Sequence, residues 1–339
     1  MIILTGTYPP EKCGVGDYSY QLLHTTVAKE NKWQVYHARK NSIGKFFATI
    51  KEINAMGDDS INLQYPSMGF LNSLMPHLFC LYFRIFSKKK ISVTIHEYTQ
   101  LGWKGKFCTY IFLIFAHKLI FTNEFERHAA IRSWYKTAPK STVIKIYSNI
   151  IAQDNLKKIE NRQYDIGYFG YIRPEKGLED YITVIANMKK KNTQLKTYIL
   201  GQTQPVYKQY YEDVLKQATA VGIDIILNKD DVFVSNVLAE TKIAYLPFPD
   251  GVSERRGSFL ACVKHKMLVV TTEGLFTTNA HRNLLDIATK DNAENVIQRL
   301  LSLSTYEWAE KQQQIEKFID SEMPASWDEV AQQYHTYLL

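Results

Sequence analysis

Apolar stretches alternate with amphipathic segments along the whole chain, and this alternation restricts the possible folds more than any other feature. In residues 1–150 it predicts strands at Ile2–Thr5, Gln34–Ala38, Ile61–Tyr65, Ile91–Ile95, Lys118–Thr122 and Val143–Tyr147. Helical patterns between them begin at Asp17, Ser42, Phe70, Lys104 and Asn123. Because strands that alternate with helices form parallel sheets, this half predicts a wound α/β domain.

The second half repeats the alternation. Strands are predicted in YDIGYFGY, LKTYILG, IDIILN, KIAYLPF and MLVVTT, with helices from Gly177, Pro205, Asp231 and Gly257 and two more in the tail. We therefore expect two parallel-sheet domains, 1–148 and 164–320, a polar linker at 149–163, and a closing helix at 321–339 on the first domain. Ligands of such sheets bind beyond the carboxyl ends of the strands, so the expected substrate position is a cleft between the domains.

Composition indicates a folded intracellular protein. With 339 residues, 45% of them hydrophobic and 22% charged, the chain is unlike disordered sequences. Its four cysteines lack metal-type or redox-type spacing and are expected to be reduced thiols, and no signal peptide is evident, which predicts a cytoplasmic location. The apolar run FCTYIFLIFA is too short to span a membrane and predicts a buried helix.

The charge is unevenly distributed. Residues 1–150 hold 19 Lys and Arg against 9 Asp and Glu, whereas residues 151–339 hold 22 against 25. A basic first half favours an anionic partner, and charge alone leaves nucleic acid, an anionic bilayer and a phosphorylated substrate open.

Three loops at predicted strand ends suit phosphate. Gly14 and Gly16 precede a helix, where backbone N–H groups can approach an anion, although a merely flexible loop explains them equally well. Arg173 and Lys176 follow a strand and flank a helix start, and the alternative is a solvated helix end.

The third loop is LPFPDGVSERRGSF. Arg255 and Arg256 precede a helix at which Gly257 and Ser258 offer N–H donors, and Ser258 is expected to cap it. A dinucleotide fingerprint, with Arg39 as an NADP contact, is disfavoured because eight residues separate Thr5 from Gly14.

Polar residues also follow two strands of the first half. His96 and Glu97 end one strand, and Gln64 and Tyr65 end its neighbour, a set suited to sugar hydroxyls. A structural histidine is the alternative for His96. The acidic pairs Asp58-Asp59 and Asp230-Asp231 are interpreted as turns, so no metal site is predicted.

With these residues in place, the chain resembles the retaining glycosyltransferases of family four, which have two facing Rossmann-like domains (the GT-B fold). The resemblance is carried by YPPEKCGVGDYS, VTIHEY, TNEFERH, YSNI, FGYIRPEKGLEDYI and LPFPDGVSERRGSFLACVKHKMLVVTT. By position, the resemblance implies that Gly14 to Gly16 contact the donor phosphates or sugar, that His96 contacts the transferred sugar and that Lys176 binds the diphosphate. Together with the loops and strand ends above, we predict catalytic roles for His96, Arg173, Lys176 and Arg256. We predict donor contacts from Gly14, Val15, Gly16, Ser253, Glu254, Arg255, Gly257 and Ser258, and acceptor contacts from Asp17, Tyr18, Gln64, Tyr65 and Glu97.

Two positions depart from the family pattern. Tyr171 stands where the family has Arg, so Arg173 is expected to supply that charge. Ser253 and Ala261 stand where the family has two glutamates, so ribose recognition must differ, and the RRG version of this motif is expected to mark a branch of the family.

The resemblance implies transfer of a sugar from a UDP- or GDP-linked donor to a glycan or lipid-linked acceptor, with retention, without a metal and without a further cofactor. No nucleic acid partner is expected. The stretch GFLNSLMPHLFCLYFRIF is a candidate for peripheral contact with an anionic membrane, and a buried helix is the alternative. A sugar-nucleotide epimerase and a non-catalytic scaffold in polysaccharide assembly are the alternative functions.

Overall fold

A computed structural model of the protein describes residues 1–38, 43–71, 73–153 and 155–339. The chain divides into two compact units, Met1–Tyr147 with Pro324–Leu339 and Ser148–Met323. Arg39 and the helix start predicted at Ser42 lie outside the described residues. Across the described ranges, none of the helices combines the length and apolar composition needed to cross a bilayer.

Unit 1 is built on a six-stranded parallel sheet in the order β2-β1-β3-β4-β5-β6. Its strands are β1 (Ile2–Thr5), β2 (Gln34–His37), β3 (Ser60–Tyr65), β4 (Lys90–Ile95), β5 (Lys118–Phe121) and β6 (Ser141–Val143). Its first six helices are α1 (Gly14–Leu23), α2 (Thr26–Glu30), α3 (Phe46–Ala55), α4 (Met75–Ile85), α5 (Trp103–Phe115) and α6 (Glu124–Ser133).

Unit 2 repeats this plan with the strand order β12-β11-β10-β7-β8-β9, again all parallel. Its strands are β7 (Tyr164–Ile172), β8 (Thr197–Thr203), β9 (Asp224–Leu227), β10 (Thr241–Leu246), β11 (Leu268–Thr271) and β12 (Asp286–Ile287). Its helices are α7 (Leu178–Lys191), α8 (Lys208–Val221), α9 (Asp231–Ala239), α10 (Gly257–Lys264), α11 (Asn279–Leu284), α12 (Ala293–Leu301) and α13 (Thr305–Glu322). The predicted fold class, α/β with two parallel sheets, is confirmed.

The last helix, α14 (Trp327–Leu338), belongs to unit 1. Side chains of β1 alternate between the two faces of the sheet, so Ile2 and Leu4 pack with α3–α5, while Ile3 packs with α1, α2 and α14. Unit 1 therefore has two cores, one on each face. In the predicted linker, Ile159 is fully buried in unit 2 and Arg162 donates to the carbonyl of Thr241 at 2.8 Å.

Two sequence predictions about unit 1 give the wrong bounds for an element. The strand expected at Val143–Tyr147 is instead β6, Ser141–Val143. The Ile144 N–H still donates to the Phe121 carbonyl of β5 at 2.9 Å, and beyond it Ile146 and Tyr147 pack in the core that contains α14. The helix expected from Asp17 begins at Gly14, so both glycines belong to its first turn. The N-cap of α1 is Cys13, which provides no side-chain cap.

Candidate functional site

The carboxyl edge of the unit 2 sheet brings two basic loops together. Strands β7 and β10 are hydrogen-bonded neighbours, so the loops that follow them emerge side by side. Gly177, in the first loop, has φ +76°, and a Cβ at this position would lie 1.9 Å from the carbonyl oxygen of Pro247 in the second. Only glycine permits this approach, which fixes one loop against the other.

The β10–α10 loop is held on its other side by the loop after β11. Gly251 has φ +81°, and a Cβ there would lie 2.2 Å from the backbone nitrogen of Gly274. The backbone N–H of Val252 donates to the carbonyl of Thr272 at 3.1 Å. The stretch that leads into Ser253 to Arg256 is thus held against both neighbouring loops, at Pro247 and at Gly251.

Arg256 is the most constrained cation of this loop. Its Nε donates to the carbonyl of Gly251 at 3.0 Å, its terminal amine pairs with the Asp250 carboxylate, and its guanidinium lies 4.1 Å from the centre of the Phe248 ring. Burial lowers the pKa of the guanidinium, and the Asp250 charge opposes that shift. Arg255 stacks on a different ring, that of Phe276, at 4.6 Å.

Arg173 follows β7 directly and is the least satisfied cation of the site. Its Nε is buried and has no hydrogen-bond partner within the described part of the chain. Burial raises the pKa of the nearby Tyr168 hydroxyl, and the charges of both Arg256 and Arg173 oppose that shift. Arg173 and Arg256 lie on the loops that follow β7 and β10, and because these strands are hydrogen-bonded neighbours both loops leave the same edge of the sheet.

Lys176 stands on the same loop, and its carbonyl accepts a hydrogen bond from the Tyr168 hydroxyl at 3.1 Å. Glu175, two residues after Arg173, has φ +62°, a left-handed conformation that is uncommon for a non-glycine residue. The turn therefore brings the Lys176 backbone back against Tyr168 of β7.

Helix α10 starts differently from the prediction. Its N-cap is Arg256, which provides no side-chain cap, so Ser258 lies inside the first turn and the prediction that it caps the helix is wrong. Gly257 is exposed, and a Cβ there would meet no atom within 4 Å, which leaves room beside the helix start. Ser253 is buried and its carbonyl accepts from the Arg256 N–H at 3.2 Å, while Glu254 is half-exposed.

In unit 1 the first helix begins close to the β1 loop. A Cβ at Gly16 would lie 2.9 Å from the carbonyl oxygen of Thr7, so this glycine is required for the packing of α1 on the loop. A Cβ at Gly14 would meet nothing within 4 Å, and Val15 and Asp17 are half-buried. The open N–H groups of this helix start are compatible with the predicted anion contact.

His96 stands at the end of β4 with its ring held on two sides. Its Nε2 lies 2.8 Å from the amide oxygen of Gln64, and its ring packs edge-on against Tyr18 at 4.9 Å between centres. Tyr18 and Gln64 are themselves buried. Two of the five residues predicted to bind the acceptor, Tyr18 and Gln64, therefore orient the histidine, and a direct acceptor contact from either stays a prediction.

The remaining acceptor candidates differ in exposure. Tyr65 is buried, with its ring against His77 and Phe112 at 5.3 and 4.9 Å between centres, whereas Glu97 is exposed. Of Tyr65 and Glu97, only the Glu97 side chain is open to solvent.

Several residues that position the side chains around His96 are not predicted by any pattern in the sequence. The hydroxyl of Tyr334 lies 3.0 Å from that of Tyr18 and 2.9 Å from that of Thr94, which in turn donates to Asn62 at 3.1 Å. Asn62 accepts from the Gln64 amide at 2.6 Å. This chain of hydrogen bonds connects α14 to the strand end at His96, and because its members are distant in sequence no local pattern predicts it.

A second unpredicted residue, Glu126, supports the loop after His96. Its carboxylate accepts hydrogen bonds from the backbone N–H groups of Tyr98 and Thr99 at 2.9 and 2.7 Å. In the described ranges, no group of three His, Cys, Asp or Glu side chains is arranged to hold a metal ion.

Comparison with known proteins supports the fold through structure alone. No protein-family model matches the chain, and no curated protein matches it in sequence. Anabaena Alr3699/HepE, solved in complex with UDP and glucose, superposes with a TM-score of 0.73 at 12% identity, over 99% of this chain and 98% of the other.

Two further solved structures are similar over 99% of this chain. A glycosyltransferase from Rickettsia africae ESF-5 has a TM-score of 0.66 at 13% identity and is covered over 97% of its length. A trehalose-6-phosphate protein from E. coli, bound with UDP-2-fluoro glucose, has a TM-score of 0.63 at 11% identity and 98% coverage. Likenesses at such low identity show a shared fold, and the fold of this chain is the GT-B type found in these proteins.

Proposed function

We propose that this chain is a glycosyltransferase that moves a sugar from a nucleotide diphosphate donor to a glycan or lipid-linked acceptor. The observation that carries the proposal is that the loop bearing Arg173 and Lys176 and the loop bearing Arg256 follow neighbouring parallel strands and are fixed to each other where Gly177 meets Pro247. The Arg173 Nε is buried and has no hydrogen-bond partner among the described residues, so it is a donor available to a ligand acceptor. The fold shared with proteins solved with UDP supports the same reading.

A diphosphate matches this arrangement in charge and geometry. Arg173, Lys176, Arg255 and Arg256 supply cations, and the start of α10 supplies backbone N–H groups. Hydrogen bonds between such cations and phosphate oxygens contribute about 1.5–3 kcal/mol each. We therefore assign donor binding to unit 2 and assign the sugar and acceptor contacts of His96 and Glu97 to unit 1.

The proposed reaction retains the anomeric configuration. The bond between the anomeric carbon and the diphosphate oxygen breaks, and its electron pair goes to the departing phosphate. An acceptor hydroxyl forms the new bond on the same face, and its proton passes to that phosphate. Fixed cations aimed at the growing negative charge lower the barrier, so we propose that no metal and no additional cofactor are required.

Two measurements test this function. Thermal melting against a panel of UDP- and GDP-linked sugars should reveal stabilisation by the matching donor, because a ligand that binds the native state raises apparent stability. NMR of the matching donor with candidate acceptors should then show a new glycosidic anomeric signal with the donor's configuration. Conversion of the donor without acceptor would indicate an epimerase, and the lack of stabilisation by every donor would favour a scaffold.

A further inference from the structure

The helices α4 and α5 form an outward layer of unit 1 whose exposed face is apolar. Both helices contribute to the same core, with Phe79 and Phe83 from α4 and Phe112 and Leu113 from α5, and they pack against each other. A helix that covers a sheet normally exposes polar side chains on its other face. The expectation that this part of the chain is simply buried is therefore wrong for one face of each helix.

The exposed side of α5 carries large apolar side chains at helical spacing. Trp103 is 77% exposed and Phe107 is 74% exposed, and Ile114 is exposed farther along the same face. Positions separated by four and seven residues align on one side of a helix. This stripe lies opposite the buried residues Phe112 and Leu113.

Helix α4 presents a matching stripe. Leu74, at its N-cap, and Ile85, in its last turn, are exposed, and Leu78 and Leu81 between them are half-buried. Phe86, directly after the helix, is exposed as well. We call the exposed apolar residues of both helices, namely Leu74, Ile85, Phe86, Trp103, Phe107 and Ile114, the outer apolar face.

With one exception, the charged residues in the segment that carries the outer apolar face are basic. Residues 68–118 contain seven Lys and Arg and a single acidic residue, Glu97. Arg84 and Lys88 are exposed near the end of α4, and Lys104 is exposed in the first turn of α5, with its amine 5.5 Å from the centre of the Trp103 ring. None of these three cations forms an ion pair in the described ranges.

We propose that the outer apolar face is the surface by which this protein docks on an anionic membrane leaflet. Aromatic and aliphatic side chains bury among lipid headgroups and acyl chains, while flanking lysines and arginines attract anionic lipids. Tryptophan is favoured at that boundary because its ring is amphipathic. Self-association of two copies through this face is disfavoured, since an isologous contact would bring the same cations together.

Membrane docking deepens the proposed function by selecting lipid-linked acceptors, yet its test does not depend on transfer. Purified full-length protein is sedimented with vesicles of phosphatidylcholine alone or of phosphatidylcholine mixed with phosphatidylglycerol, without nucleotide. We expect binding to the anionic vesicles, little binding to the neutral ones, and release as salt is raised.

Two pairs of variants give the test its specificity. The double variant Trp103→Ser/Phe107→Ser should weaken vesicle binding by on the order of tenfold or more, because each substitution removes apolar surface that the bound membrane would bury. Tyr306→Ser removes an aromatic ring of similar exposure, 72%, from unit 2 and should leave binding unchanged. Both altered side chains of the double variant are exposed, so its thermal midpoint should match that of the parent.

The charge contribution is tested in the same assay. Lys104→Glu/Lys106→Glu should reduce binding on the order of tenfold at low salt, whereas Lys190→Glu/Lys216→Glu, with the same change of net charge in unit 2, should not. The proposal is overturned if the parent fails to bind anionic vesicles, or if both members of a pair bind alike. It is equally overturned if sedimentation velocity shows a dimer that Trp103→Ser/Phe107→Ser dissociates. Sugar transfer to a soluble acceptor would survive each of these outcomes, which separates this proposal from the enzymatic one.

Discussion

The hydroxyl groups of Tyr18 and Tyr334 lie 3.0 Å apart, although 316 positions separate the two residues in the chain. This contact attaches the last helix to the first helix of the chain and continues through Thr94 toward the strand end at His96. The C-terminal helix is thus part of the support for the candidate site in unit 1.

Replacement of Tyr334 by Phe should destabilise unit 1. Removing its hydroxyl leaves the buried oxygens of Tyr18 and Thr94 without this partner, a loss of about 1–3 kcal/mol in the free energy of unfolding. Tyr245→Phe is the matched control, because the Tyr245 hydroxyl is buried and has no hydrogen-bond partner in the described part of the chain. Urea unfolding should find the control neutral or slightly more stable, and equal losses in the two variants would contradict the argument.

Arg173→Ala should weaken binding of the nucleotide sugar without lowering the stability of the free protein. Because the Nε of this arginine is buried and has no hydrogen-bond partner in the described ranges, its removal should leave the melting temperature of the free protein unchanged or raised. The stabilisation by the matching nucleotide sugar should nevertheless fall sharply. Differential scanning fluorimetry with and without donor measures both quantities, and an undiminished donor shift would exclude Arg173 from the site.

Arg256→Ala should reduce kcat/KM on the order of a hundredfold or more, because an oriented donor to developing charge commonly contributes about 3 kcal/mol to the transition state. Arg299→Ala removes a largely exposed arginine that pairs with Asp286 at 2.6 Å and should leave turnover unchanged. A chelator should have no effect on the parent's rate. Steady-state assays measure kcat/KM for each variant, and wild-type turnover in Arg256→Ala would exclude this residue from the mechanism.

Gly177→Ala should damage both the fold and the donor site. The new methyl group combines a left-handed φ with a clash against the Pro247 carbonyl, so the β10–α10 loop must move. Gly222→Ala has nearly the same φ, +77°, with no atom nearer than 3.8 Å, so it should cost only about 1–2 kcal/mol of backbone strain. Thermal melting and donor titration of both variants should find that only Gly177→Ala loses donor affinity.

The stability of unit 2 should decrease as the pH falls from about 6.5 to about 4. Burial lowers the pKa of His265 to about 4, and its ring contacts the Ser235 hydroxyl and the Ala261 carbonyl at 2.9 and 2.7 Å. Between these pH values the imidazole of His265 is protonated in the unfolded chain and neutral in the folded chain, so a fall in pH favours unfolding. His265→Gln should flatten the dependence of unfolding free energy on pH, and the exposed His128→Gln should preserve it.

Much of this architecture was predictable from local pattern. The strands at Ile2–Thr5 and near Ile91–Ile95 were found because continuous apolar runs bounded by polar turns are typical of strands buried on both faces. Errors occurred where a residue's partner is distant, as at Ile144–Tyr147, which look like a strand but pack on α14. The two-residue strand β12 was missed because so short a segment has no recognisable period.

The sequence by itself determined the two parallel sheets and the basic loops at strand ends, because hydrophobic periodicity and loop chemistry are local properties that propagate along the chain. Only the tertiary structure decided that Gly177 touches Pro247, that Tyr334 supports the edge carrying His96, and that α4 and α5 each leave an apolar face uncovered. These relationships depend on which distant segments meet, and that is settled by packing, close backbone approach and burial rather than by the order of residues in any one segment.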